Sequence, residues 1–201
     1  ARMPRPCGPP IAYRPLPYVD LLAARPLAAV GRVVLHCTEL PDLAMARAWG
    51  ERLVHPSGTG NSGHYYIDRD GTIECWVPPE RTAHHVRGHN ADSIGVELVN
   101  EGRWPDWYHS QRQQPVEAYA VPQVDALVAL LRWLRQVCPG LQGLAGHEDL
   151  DQEPVAASDD PTLTVRRKID PGPLFPWSRV VAGSGLPRLA TSLPPIRPPL
   201  P

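Results

Sequence analysis

The chain has 201 residues, 42% of them hydrophobic and 20% charged, with a formal net charge of -1 and a pI near 6.8. That size and composition fit one globular domain able to bury a core without disulfide staples. A near-zero charge argues against partners held by phosphate neutralisation, nucleic acid above all, and no apolar run approaches the roughly 18 residues of a membrane span. Residues 1–30 lack the uninterrupted apolar core of a secretion signal, which favours a cytoplasmic location. Because the chain starts at Ala1 without a methionine, a processed leader, and with it a periplasmic or secreted protein, stays open.

The 26 prolines gather at the two ends. Residues 1–30 read as a proline-rich extension, in which Pro4, Pro6, Pro9, Pro10, Pro15 and Pro17 forbid helix over 1–17 and favour an extended arm on the surface there. Arg32-Val33-Val34-Leu35 then reads as a buried strand that ends at His36. After Pro41-Asp42 the spacing predicts a helix from Leu43 to Val54. His64 to Asp68 and Thr72 to Val77 flank Arg69-Asp70-Gly71, a hairpin signal between two aromatic and β-branched runs. In Ser93 to Val99, Ile94, Val96 and Leu98 face one way, so Glu97 is displayed from the other face of a strand. Val121 to Cys138 carries an apolar stripe at helical spacing and is closed by Pro139-Gly140. The tail 183–201 is again proline-rich and reads as polyproline-like, a passive extension. Strands interleaved with helices predict an α/β fold, a single domain over 31–182 with a central mixed β-sheet flanked by α-helices.

Cys7, Cys37, Cys75 and Cys138 form no Cys-x-x-Cys pair, which speaks against a cysteine zinc site or a redox motif. Three disulfide pairings, or free thiols, stay open. More telling are His36, His147 and Asp170, each at an element end. Two neutral imidazoles and one carboxylate make a set that holds zinc and leaves a fourth position for water, a catalytic rather than structural composition. Lys168, two residues before Asp170, falls on the same side of an extended segment and brings a positive charge near the metal. His84-His85-Val86-Arg87-Gly88-His89-Asn90 reads as part of a cleft wall. Taken singly, each residue has an ordinary explanation: a packed histidine, an Asp-Pro turn at Asp170, a solvated Glu97, a basic cluster of Arg166, Arg167 and Lys168. Their joint occurrence at element ends carries the case. Cys37, next to His36 in a strand, points to the opposite face.

Six motifs in order, Leu35-His36-Cys37-Thr38, Asn61 to Gly71, Ala83-His84-His85, Ser93 to Leu98, Gly146-His147-Glu148-Asp149 and Arg167 to Gly172, resemble the zinc-dependent N-acetylmuramoyl-L-alanine amidases of type 2, relatives of the peptidoglycan recognition proteins. The resemblance covers about residues 31–182. It implies zinc on His36, His147 and Asp170, with Glu97 acting on the attacking water and Lys168 at the oxyanion. It also implies substrate contacts from Asn61, His64 and His85, and cleavage of the lactyl amide to L-alanine in peptidoglycan or muropeptides by a monomer. A non-catalytic peptidoglycan-recognition module, or a zinc amidohydrolase acting on another N-acyl amide, stands as the alternative. The chain departs from the family pattern at Cys37, often histidine there, at His84, often tryptophan, and in Asp151 to Val165, an apparent insertion at the substrate rim.

Overall fold

A computed structural model of the protein describes residues 8–189. Cys7, the first prolines and the tail from 190 onward lie outside the described residues. The sheet is built from β1 (Ala12–Tyr13), β2 (Arg32–Cys37), β3 (Tyr65–Ile67), β4 (Ile73–Cys75), β5 (Ser93–Leu98) and β6 (Gly143–Gly146), in the order β1-β4-β3-β5-β2-β6. β3, β5, β2 and β6 run parallel, β4 is antiparallel to β3, and β1 is parallel to β4. The mixed sheet and its flanking helices are those expected from the alternating pattern.

Because side chains alternate along a strand, register decides what each face carries. Val33 and Leu35 of β2 turn to one face with Ile94, Val96 and Leu98 of β5. There they meet α2 (Val121–Val137), whose Val124, Leu127, Leu130, Leu131 and Leu134 are buried, and α4 (Trp177–Ser184). His36 turns to the other face, directly beside Glu97, which in turn stands beside Tyr66. Leu35 pairs with Gly146, so His147, the first residue of α3 (His147–Leu150), emerges at the same end of the sheet as His36. The polar residues thus gather at the carboxyl ends of neighbouring parallel strands, where open α/β sheets place ligand sites.

Residues 8–17 run extended with most side chains exposed, as the prolines predict, but they are joined to the sheet and lead into a buried stretch. β1 extends the sheet, and Leu16, Tyr18, Val19 and Leu22 are buried in a second apolar cluster with Tyr66, Trp76 and Ala46. Proline excludes helix here but not burial. Arg14 and Leu16 donate their backbone N–H groups to Cys75 and Trp76 carbonyls, and Pro15 lies between them with no N–H to lose. At the other end, α4 continues through Ser184, and Pro187 and Leu189 bond to Leu144 of β6, so the packed domain runs beyond residue 182.

Two elements differ in extent. The helix α1 (Leu43–Gly50), capped by the Asp42 carboxylate on the Met45 N–H, stops four residues short of Val54. Val54 and His55 give their N–H groups to the Thr59 carbonyl, a turn incompatible with a continuing helix. The insertion after α3 folds as an antiparallel ribbon of β7 (Pro154–Ala156) and β8 (Thr164–Arg166). Cys37, Cys75 and Cys138 are buried free thiols. No helix among the described residues is long and apolar enough to cross a membrane.

Leu16 is 2% exposed, and Leu16→Ala is expected to lower the unfolding free energy by about 2 to 5 kcal/mol. Urea denaturation checks this, and an unchanged midpoint would return the segment to a detachable arm.

Candidate active site

A cavity of about 650 Å³ opens over the carboxyl ends of β2, β5 and β6 and is lined by His36, Glu97, His147, Lys168 and Asp170, with His85, Asn61 and Trp49 farther along its walls. Asp170 Oδ2 lies 3.1 Å from His36 Nδ1 and 3.2 Å from His147 Nδ1. One donor atom from each of the three residues falls within 4.8 Å of the others, and all three residues are buried. Glu97 Oε1 is 3.9 Å from His36 Nδ1.

Hydrogen-bond direction settles where the proton of His36 sits. The Ser93 hydroxyl donates to the His89 carbonyl at 2.6 Å, so its oxygen accepts from His85 Nε2–H at 3.1 Å. The other ring nitrogen of His85, Nδ1, is then bare and accepts from His36 Nε2–H at 2.9 Å. This leaves His36 Nδ1 with a lone pair aimed at the Asp170 carboxylate. Burial pushes the His36 pKa down to about 4, against the upward pull of Asp170, so a second proton is not available at neutral pH to bridge them. Lone pair against lone pair at 3.1 Å is repulsive, and a cation between them removes the repulsion. His147 Nδ1 also faces the carboxylate, at 3.2 Å, and its Nε2 is buried without a partner among the described residues. The pocket therefore fits a divalent metal, in which a ligating histidine is oriented by the hydrogen bond of its other nitrogen.

Charge is shaped accordingly. Burial alone would raise the Asp170 carboxyl, but the facing His147 imidazole outweighs it and the group is held well below the usual carboxylate range. Glu97 goes the other way: burial first, then the nearby Asp170, pushes it well above its usual range, while Lys168 draws it down. A carboxyl raised in this way is suited to exchanging protons near neutral pH.

The expected site residues do not all fall together. His36, His147, Asp170, Glu97, Lys168 and Asn61 line one cavity. His85 lines it too, but both its ring nitrogens are committed to His36 and Ser93, so it orients His36 instead of offering a free polar atom to a ligand. His64 does not reach the cavity. It is fully buried, accepts from the Gly95 N–H at 3.0 Å and donates to the Arg81 carbonyl at 2.9 Å, one layer beneath His85. Burial and Arg25 push its pKa down to about 3. The polar motif Gly63-His64 gave no sign that its imidazole was the one turned inward. The ribbon β7–β8 contributes no lining residue, and its loops instead hold Ser110 through Asp159 and Arg87 through Glu153. Ser93 escaped the sequence reading, although strand alternation places it on the Glu97 face. So does Gly95, where a Cβ would stand 2.6 Å from the His85 ring, a space only glycine leaves.

The family description N-acetylmuramoyl-L-alanine amidase matches residues 26–173. The chain belongs to this family. Among its relatives, the endolysin of Enterobacteria phage K11 is 29% identical over 116 residues, 58% of this chain and 68% of the phage protein. The N-acetylmuramoyl-L-alanine amidase AmiD of Escherichia coli (strain K12) is 29% identical over 134 residues, and the match spans 59% of this chain but only 43% of AmiD. Among solved structures, the endolysin amidase LysCS from Clostridium intestinale URNW superposes with a TM-score of 0.58 at 22% identity, covering 90% of this amidase chain and 99% of LysCS, which extends the likeness to the fold.

Removing the last hydroxyl of the relay leaves His85 Nε2–H without its acceptor. Ser93→Ala is therefore expected to weaken binding of an added divalent cation by about tenfold or more, read by competition with a coloured chelator, with the circular dichroism spectrum unchanged. Unaltered affinity would remove the relay from the account of His36.

Proposed function

We propose that the chain is a zinc hydrolase that cleaves the amide joining the lactyl group of N-acetylmuramic acid to L-alanine in peptidoglycan or its muropeptides, with zinc held by His36, His147 and Asp170. The observation that carries the reading is the proton-free face of His36 Nδ1 against Asp170, with His147 completing two imidazoles and a carboxylate, a donor set that suits zinc and keeps a position open. Zinc bound there supplies a Lewis acid that lowers the pKa of water and polarises a carbonyl.

The remaining chemistry falls to the chain's own side chains. Glu97, beside His36 and raised in pKa, takes a proton from the attacking water and returns it to the departing nitrogen. The new C–O bond replaces the C–N bond, giving a lactyl carboxylate and the free amine of L-alanine. Lys168, on the cavity wall, stabilises the negative charge that develops on the carbonyl oxygen. Asn61 uses its Oδ1 to accept from His55 Nε2 at 2.7 Å, which leaves its amide N–H groups free for a polar group of the substrate. No serine or cysteine nucleophile is needed: Cys37 turns away, its thiol donating to the Asn100 carbonyl at 3.2 Å and raised well above its usual pKa by burial.

Glu97→Gln keeps the shape but not the exchangeable proton. It is expected to retain zinc and lower turnover of a muropeptide by about 100-fold or more, measured by mass spectrometry of the released peptide. Turnover near that of the parent protein would assign Glu97 to the sheet surface and end its catalytic role.

A further inference from the structure

Arg103 lies in the loop after β5, and its side chain is 1% exposed. The guanidinium has five N–H donors, and each is matched by an acceptor. Nε donates to Glu39 Oε1 at 2.7 Å and Nη2 to Glu39 Oε2 at 3.0 Å, a two-pronged pair. Nη1 donates to Gln113 Oε1 at 3.0 Å and to the Arg166 carbonyl at 2.9 Å, and Nη2 to the Arg167 carbonyl at 3.2 Å. The last two carbonyls belong to the residues immediately before Lys168.

The opposite partner is just as constrained. Glu39 stands three residues after His36 and is the one non-glycine residue with a left-handed backbone (φ 51°) among the described residues. Side chains rarely adopt that conformation without surroundings that hold it. Here Trp107 Nε1–H holds the Glu39 carbonyl at 2.9 Å, and the loop closes over the carboxylate at Gly102, where a Cβ would stand 2.6 Å from Glu39 Cγ. Because desolvation offsets most of the attraction in a buried ion pair, an assembly of this kind is better suited to fixing geometry than to adding stability.

The geometry points to Arg103 as a positioning residue for Lys168: through Glu39 it ties the backbone that delivers the ammonium to the strand that delivers His36. The inference rests on the Lys168 role proposed above. Lysine keeps the charge of Arg103 but has three donors on a flexible stem, so it cannot hold Glu39 and both carbonyls together.

The test is a double-mutant cycle with zinc content measured for each protein. Lys168→Met alone is expected to lower kcat by about 10- to 1000-fold, and Arg103→Lys alone by about 10- to 100-fold with KM changed less than about threefold. In the Lys168→Met background, Arg103→Lys should cost less than about threefold more, because the group it positions is gone. All variants should keep the parent's zinc content. If Arg103→Lys fails to fold, Glu39→Gln carries the same cycle. Equal losses from Arg103→Lys in both backgrounds, loss of zinc, or a normal kcat for Arg103→Lys would overturn the positioning role alone. A normal kcat for Lys168→Met would overturn the Lys168 role itself, and this inference with it.

Discussion

A buried carboxylate, Asp170, that faces a proton-free nitrogen of His36 is the constraint around which this fold is organised. Asp170 lies within 3.2 Å of a nitrogen of each histidine, and the proton of His36 is committed to the far side of its ring by His85 and Ser93. An apolar interior does not tolerate such an arrangement unless a cation satisfies it. Everything near the site preserves it: Gly95 leaves space for the His85 ring, the Asn90 side chain accepts from the His85 and Val86 N–H groups, and β2–β6 register brings His147 up beside His36.

The sheet divides the labour between its two faces. On one, β-branched and leucine side chains pack against α2 and α4 into a cluster with no polar business to conduct, and this supplies the rigidity. On the other, the parallel strands present His36, Glu97 and Tyr66 in one row, and the N-terminal segment with α1 closes the flank. Rigid strands hold His36 and Glu97, while the loop from 101 to 113 and the β7–β8 ribbon are tied to one another through Arg103 and Asp159. The fold thus separates what must be stiff from what can be varied around the cavity.

Features set by local periodicity were legible before the structure was known. The β2 and β5 strands, the Asp-Gly hairpin and α2 follow from alternation, turn chemistry and a 3.6-residue stripe, and the metal-site candidates stood out because they end elements. What stayed hidden depends on distant partners. His64 lies in a polar motif beside residues that do line the cavity, yet Gly95 and Arg81 claim both of its ring nitrogens. Arg103 has no motif at all, because its five acceptors come from three separate stretches of chain. Pro9, Pro10, Pro15 and Pro17 announced extended backbone correctly but said nothing of the burial of Leu16, which packs in one cluster with Ala46 of α1 and Trp76.

The ligand set is the central claim, and X-ray absorption of the zinc-loaded protein tests it most directly. The account predicts a first shell of nitrogen and oxygen only, at about 2.0 to 2.2 Å, because Cys37 turns its thiol toward the Asn100 carbonyl, away from the cluster. A sulfur scatterer at about 2.3 Å would put Cys37 in the shell and contradict the assignment of His36, His147 and Asp170.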